Sequence, residues 1–292
     1  MVVTRQAESW TMSSLLLWGT ERLTERGFDE ARLHVEMLVS HALDLSRTKI
    51  YTNPGRFITR EEWGKFRQVF NRRLDHEPLQ YLVGETHFMS LPLWIDERVM
   101  IPRPETELLV EKTLEVMKDL PTATPKILDI GTGSGNIPIA LAHFFPGARI
   151  TSIDISQDAL DVAQRNIERH GIRSVSLHRA DIFADILPGA AFDIVVSNPP
   201  YVSLEEFQDL QPEVRNFEPR CAITDDSDGL RIITRIIDVA AHHLVHGGFL
   251  LLETAHDQEK KVCALLGERG FSRVEVSKDY SGIPRIVKAH RS

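Results

Sequence analysis

A small helical bundle followed by an α/β domain with a mostly parallel sheet is the fold this chain predicts. Three patterns carry that reading. Apolar residues recur at three- and four-residue steps through the first part of the chain, helices and strands alternate from Glu105 onward, and Gly131, Gly133 and Gly135 cluster between a strand and a helix. The 292 residues, 42% of them hydrophobic, suffice for one or two domains of about 100 to 200 residues each.

Taken in order, Ala31, Val35, Leu38, Ala42 and Leu45 line one face of a helix. Thr59 and Glu62 form a capping box, and Trp63, Phe66, Phe70 and Leu74 are the stripe of the helix it starts, which Pro78 is expected to end. At helical spacing those aromatic residues read as a bundle core. His87 to Asp96 reads as a hairpin around Ser90-Leu91-Pro92 and marks the domain boundary. A helix from Leu108 to Leu120 stops at Pro121. Strands follow at 126–130, 149–155, 174–178, 192–196 and 248–253, with a closing pair at 274–276 and 285–288. Between them, Ser156 caps a helix that ends at Gly171, and further helices are expected at 232–244 and 260–266. Strands separated by helices argue for a sheet covered on both faces.

Composition narrows the function. Lys and Arg number 34 against 42 Asp and Glu, a net charge of −8, and residues 1–85 are electrically balanced, so the whole deficit lies in 86–292. No broad basic field exists to hold a nucleic acid. Two cysteines, Cys221 and Cys263, without a CxxC pair, leave neither a disulfide framework nor a zinc knuckle and fit a reducing compartment. The apolar run Leu15 to Trp18 is too short for a signal sequence or a membrane span, so a cytoplasmic protein is expected. His242 and His246 would share a helix face, but without a third ligand they read as a solvated helix end rather than a metal site.

The segment Ile127-Leu128-Asp129-Ile130 runs into Gly131-Thr132-Gly133-Ser134-Gly135, where side-chain-free backbone lets a ligand approach closely. The sixth position is Asn136, so the dinucleotide fingerprint is not met and a nicotinamide oxidoreductase is disfavoured. Asp154 ends the next strand, roughly 20 residues on, where a carboxylate takes both ribose hydroxyls. Asp181 is expected to end the third strand and to meet an adenine amino group. No Lys accompanies the loop, so the ligand is an adenosine derivative without a polyphosphate, a description that S-adenosyl-L-methionine fits.

At the end of the fourth strand stands Asn198-Pro199-Pro200-Tyr201. Two prolines fix two φ angles and restrict the residues before them, which holds Asn198 rigidly at the sheet edge. An amide or aromatic amino nitrogen is a poor nucleophile because its lone pair is delocalised. If the Asn198 side-chain oxygen and the Pro199 carbonyl each accept one of its N–H groups, the nitrogen is oriented and positive charge developing on it is stabilised. Tyr201 can stack on the planar group.

These residues resemble the class I S-adenosylmethionine methyltransferases, and within them the release factor glutamine methyltransferases (the HemK/PrmC family). The likeness runs through Pro78 to Gly84, Phe88 to Leu93, Ile101-Pro102-Arg103-Pro104-Glu105-Thr106-Glu107, Ser197 to Tyr201, Val214 to Pro219 and Gly247 to Glu253. It implies a helical N-terminal substrate-docking domain at 1–85, a linking β-hairpin at 86–100 and a Rossmann-like seven-stranded methyltransferase domain at 101–292. It implies N5 methylation of the glutamine in the Gly-Gly-Gln motif of peptide chain release factors, with those factors as partners, no nucleic acid or membrane, and a monomer favoured. By matched position, Gly131, Thr132, Gly133, Ser134, Gly135, Asp154, Asp181, Ile182 and Asn198 would bind cofactor. Asn198, Pro199, Pro200 and Tyr201 would hold and activate the glutamine, with Arg103 and Glu105 nearby. Two rivals share the turn: a ribosomal-protein glutamine methyltransferase, whose counterpart of residues 102–107 usually reads Pro-Arg-Ser-Pro, and a nucleic-acid methyltransferase acting on an exocyclic amine, which the charge disfavours.

Overall fold

The computed structural model describes residues 10–184 and 189–292. The chain divides into two compact units at Gly84 and Glu85. The first holds α1 (Met12–Glu25), α2 (Ala31–Leu43), α3 (Arg47–Thr52), α4 (Arg60–Leu74) and α5 (Leu79–Val83). Its core joins Leu15, Val35, Leu38, Phe66 and Phe70, and Trp10, Trp18 and Trp63 pack beside it with ring centroids 5.5 Å apart. Glu36 is buried in α2, a position that would be costly for a lone charge. Arg32 at 2.8 Å, Arg47 at 2.7 Å and the Tyr51 hydroxyl satisfy it. The capping box of Thr59 and Glu62 opens α4 as read. That helix ends at Leu74, capped by Asp75, four residues before the proline expected to stop it; Pro78 instead caps α5.

The second unit begins with the hairpin β1 (Glu85–Phe88) and β2 (Leu91–Trp94). Its turn is Met89-Ser90, both at positive φ, which is what a two-residue hairpin turn requires to match strand twist. Leu91 and Pro92, expected in the turn, therefore pair within β2. There follow α6 (Glu105–Asp119), β3 (Lys126–Ile130), α7 (Asn136–Phe144), β4 (Arg149–Asp154), α8 (Gln157–Arg169), β5 (Val175–Arg179) and β6 (Phe192–Ser197). Three short helices come next, α9 (Leu204–Asp209), α10 (Pro212–Phe217) and α11 (Arg220–Ile223). The unit closes with α12 (Arg231–His243), β7 (Leu244–Glu253), α13 (Glu259–Glu268), β8 (Phe271–Lys278) and β9 (Pro284–Arg291).

Seven strands form one sheet in the order β5-β4-β3-β6-β7-β9-β8, parallel except where β9 runs antiparallel to β7 and β8. The period of two along a strand sends neighbouring side chains into two different cores. Ile194 and Val196 of β6 join Leu109, Ile137 and Leu141 on one face, while Val195 joins Ile233, Ile237 and Val262 on the other. Burial on both faces explains why β3 and β6 read as nearly continuous apolar runs. At the antiparallel edge, β8 spans eight residues where three were expected, because its half-buried Ser and exposed Arg, Glu and Lys interrupt the apolar pattern. The chain leaves α12 at His243 and enters β7 at once, so His246 is on a strand and shares no helix face with His242.

Several side chains fasten the hairpin to the rest of the second unit, among them Glu107 at the Met89 N–H, His170 at Pro92 O and, with the most bonds, Asn166. Asn166 of α8 is fully buried; its Oδ1 accepts the Trp94 N–H at 2.8 Å, and its Nδ2 donates to Trp94 O and Ser134 O, each at 2.9 Å. It thereby ties the hairpin to the loop that follows β3. No helix among the described residues is long and apolar enough to cross a membrane. Asn166→Ala is expected to leave three backbone groups unpaired, one buried and two half-buried, and to lower unfolding free energy by about 2 kcal/mol or more in urea titration. A change below about 0.5 kcal/mol would show that the hairpin is held by other means.

Candidate active site

After Ile130 the chain turns sharply, with Gly131 at φ 79°, Gly133 at 53° and Gly135 at 82°, all in the left-handed region that glycine enters freely. Gly131 and Thr132 both donate N–H to Ile153 O, at 2.9 and 3.1 Å, which draws the loop onto the end of β4. The glycines divide the work. A side chain at Gly133 would meet nothing within 4 Å, so this position faces open space. A Cβ at Gly135 would press on Ala163 and Ile139 at 3.2 Å, so Gly135 serves the packing of α7 on α8 and is not part of the cavity wall.

Asp154 closes β4 and shapes the loop. Its Oδ2 accepts the Gly133 N–H and its Oδ1 the Ser156 N–H, each at 3.0 Å. Burial pushes its pKa up against those backbone donors. Asp181 lies beyond the end of β5, which stops at Arg179, so it does not end the strand as expected. It is exposed, and its carboxylate accepts the Phe183 N–H at 2.9 Å in a local turn. Behind the loop, Asp129 is fully buried and neither carboxylate oxygen has a partner in full hydrogen-bond geometry. Burial raises its pKa to about 7, with the neighbouring Thr132 and Ser152 hydroxyls pulling the other way.

The second half of the site starts one strand over. β3 and β6 run parallel with Ile130 opposite Ser197, and Ser197 Oγ donates to Ile130 O at 2.7 Å. The Asn198 turn therefore begins beside Gly131, whose Cβ, if present, would lie 3.9 Å from Asn198 O. Asn198 Nδ2 donates to Thr106 Oγ1 at 3.0 Å, and its Oδ1 accepts from no protein group among the described residues. Beyond the prolines, Tyr201 donates its hydroxyl to Glu253 Oε1 at 3.1 Å and is not part of the cavity wall. Gln258 Nε2 holds Tyr201 O at 2.9 Å. Gly229 leaves room for the same carbonyl, since a Cβ there would fall 2.3 Å from it.

The segment 101–107 packs against both halves. Glu218 is buried and takes Ile101 N–H at 3.2 Å and Arg103 Nη2 at 2.5 Å. Arg103 thus joins residues 101–107 to the 214–219 segment rather than presenting its charge to the cavity. Glu107 accepts the Met89 N–H at 2.6 Å, and Glu105 is not on the wall.

One cavity of about 200 Å³ unites these pieces. Gly131, Thr132, Gly133, Ser134, Asp154, Asp181, Ile182, Asn198, Pro199 and Pro200 line it, all of them read from the sequence as site residues. The only cationic side chain on its wall among the described residues is Arg98, which is engaged with Asp96 at 2.9 Å. Thr106, Glu253, Asp129 and Gln258 were not foreseen. The one sequence signal was a carboxylate placed in or ending an apolar run, as at Asp129 and Glu253. No group of His, Cys, Asp and Glu fit to hold a metal occurs among the described residues.

A seven-stranded sheet of this order, with a glycine loop where strand order reverses, defines a class I methyltransferase. Two solved structures share the fold alone. A methyltransferase from Pyrococcus furiosus has a TM-score of 0.50 at 21% identity, covering 70% of this chain and 90% of its own. A 16S rRNA N2 methyltransferase from T. thermophilus has a TM-score of 0.52 at 19% identity, covering 71% of this chain and 50% of its own. The PrmC N-terminal domain family matches residues 14–84 and the methyltransferase small domain family residues 105–211. The release factor glutamine methyltransferase of Geobacter sulfurreducens is 39% identical over 285 residues, 98% of each chain. That of Chlorobaculum tepidum is 41% identical over 284 residues, 94% of this chain and 96% of its own. The chain belongs to the release factor glutamine methyltransferase family.

Asp129 makes a stability prediction. Unfolded, it ionises at the ordinary 3.8; folded, it keeps its proton to about 7. Between those values the folded state binds more protons, so this group lowers stability as pH rises and its cost saturates above about 7. Asp129→Asn is expected to gain on wild type by a few kcal/mol at pH 8, the gain shrinking steadily toward pH 4 in denaturant titrations. A difference independent of pH would refute the burial argument.

Proposed function

We propose that this chain methylates the N5 amide nitrogen of the glutamine in the Gly-Gly-Gln motif of peptide chain release factors, using S-adenosyl-L-methionine. One observation carries the reading: an amide oxygen without a protein partner, Asn198 Oδ1, stands on a proline-stiffened turn that shares its cavity with the glycine loop.

The residues present suit S-adenosylmethionine. Gly131 to Ser134 supply a backbone cradle, open where Gly133 lacks a side chain, and Asp154 stands at the wall to take ribose hydroxyls. Asp181 and Ile182 flank the adenine end, with Ile182 giving apolar contact. Carboxylates outnumber cations on this wall, and its one Arg is already paired, which suits a ligand bearing positive rather than phosphate charge. When bound, S-adenosylmethionine supplies a methyl group on a sulfonium leaving group.

The protein's task is then positioning and charge stabilisation. Asn198 Oδ1 and the Pro199 carbonyl accept the two N–H groups of the substrate amide and orient its nitrogen. Those bonds strengthen as the nitrogen gains positive charge, which is the difference between ground and transition state that accelerates a reaction. Pro199 and Pro200 keep the acceptors from relaxing away, and Tyr201, fixed by Glu253 and Gln258 behind the cavity wall, supports the turn. The relatives named for release factors support the choice of substrate, and the helical unit ahead of residue 85 is assigned to docking it.

Incubation with methyl-labelled S-adenosylmethionine and purified release factor is expected to label the factor, with label lost when its Gly-Gly-Gln glutamine is replaced. Asn198→Ala should lower kcat by about 100-fold or more while cofactor Kd shifts less than about threefold. Label on ribosomal protein or nucleic acid in place of the release factor would overturn the substrate assignment.

A further inference from the structure

The prolines stiffen the backbone at Asn198 but leave its side chain a choice. A carboxamide presents an acceptor and a two-proton donor on a nearly symmetrical plate, and turning it over swaps them without changing its shape. Only one orientation serves a substrate that donates N–H groups. With Oδ1 toward the substrate the contact is attractive; with Nδ2 there, donor meets donor.

The choice is made 92 residues away in sequence, where Thr106 Oγ1 accepts the Nδ2 proton at 3.0 Å. A hydroxyl is itself ambivalent, since it can donate or accept, and it selects one face of Asn198 only if its own proton is engaged elsewhere. Glu253 offers that engagement. It ends β7, is fully buried, and takes the Tyr201 hydroxyl on Oε1 at 3.1 Å; its Oε2 is buried without a partner in full hydrogen-bond geometry, and the neighbouring Thr106 hydroxyl works against the effect of that burial on the carboxyl group. Burial holds Glu253 near pKa 7, and in its ionised form it only accepts, which sets the direction of the bonds in the chain. Tyr201 donates to Oε1, Oε2 is left to the Thr106 proton, Thr106 offers lone pairs to Asn198, and Asn198 turns its amino group inward. All three partners are held firmly, for Thr106 lies fully buried in the first turn of α6 and Glu253 lies on a central strand.

We propose that Thr106 and Glu253 are positioning residues: together they set the polarity of the Asn198 amide so that Oδ1 points to the substrate, and so restrict the site to N–H donors. This rests on the glutamine-methylation reading above. The pair touches neither cofactor nor substrate, so it acts on kcat and leaves cofactor affinity alone.

The test compares wild type, Thr106→Val, Thr106→Ser and Glu253→Gln with purified release factor as acceptor. Valine keeps the shape and removes the hydroxyl; serine restores it. Thr106→Val is expected to lower kcat about tenfold with cofactor Kd within about twofold, and Thr106→Ser to recover most of the rate. Gln at 253 both donates and accepts, so it scrambles the polarity, and a kcat loss of about threefold or more is expected. In 15N spectra the Asn198 side-chain amide should be protected from exchange in wild type and Thr106→Ser and lose that protection in Thr106→Val. A merely structural Thr106 would alter thermal stability without this pattern of exchange and rescue. Thr106→Val at full kcat overturns the proposal; should that variant fail to fold, Glu253→Gln at full kcat does so. Failure of wild type itself to label the release factor would instead remove the functional reading beneath it.

Discussion

Parallel pairing of β3 with β6, Ile130 facing Ser197, is the constraint on which the site depends. Each strand is followed by a turn that lines the cavity, one rich in glycine and one in proline. Register decides that both turns open at the same level of the sheet edge, and the Ser197 hydroxyl on Ile130 O fixes that level. A slip of one residue would send every side chain of β6 to the opposite core and move Asn198 away from Gly131. The two apolar faces that make β6 a good central strand are thus also what aims the turn. Strand order reverses between β4-β3 and β6-β7, and the cavity lies in the crevice this reversal leaves.

Around that crevice the protein accumulates buried carboxylates, an arrangement that costs stability. Asp129 and Glu253 are each held near pKa 7, and Asp154 and Glu218 are raised as well, all chiefly by burial. Their roles differ. Glu218 is neutralised by Arg103 and joins two segments of chain, Asp154 braces the glycine loop through Gly133 and Ser156, and Glu253 anchors Tyr201. Violations of the rule that buried charge is paired cluster here, around the cavity, and the N-terminal bundle's Glu36 is by contrast fully compensated by two arginines and a tyrosine.

Much of the site was legible because glycine and proline announce backbone conformation locally. Gly131 and Gly133 stand at positive φ, and Asn198-Pro199-Pro200 follows a strand, so short windows of sequence carried both turns. Gly135 shows the limit of the same signal, for its missing side chain makes room for Ala163 of the next helix rather than for a ligand. Thr106 and Glu253 were illegible for a different reason. Nothing in Pro-Glu-Thr-Glu marks its Thr as the partner of an amide 92 residues on; only tertiary packing of α6 against β6 and β7 brings them together. In the fold, the Met89-Ser90 turn was misplaced because neither residue favours positive φ, and β8 was cut short because an exposed edge strand carries its polar residues in sequence.

The most direct measurement is a crystal structure of the protein with S-adenosylhomocysteine and a peptide containing Gly-Gly-Gln. The sulfur is expected between the glycine loop and Asn198, with the glutamine N–H groups on Asn198 Oδ1 and Pro199 O and its nitrogen facing the sulfur across the space of one methyl group. Sulfur lodged away from the proline turn, or glutamine bound through its oxygen to an Asn198 turned over, would contradict it.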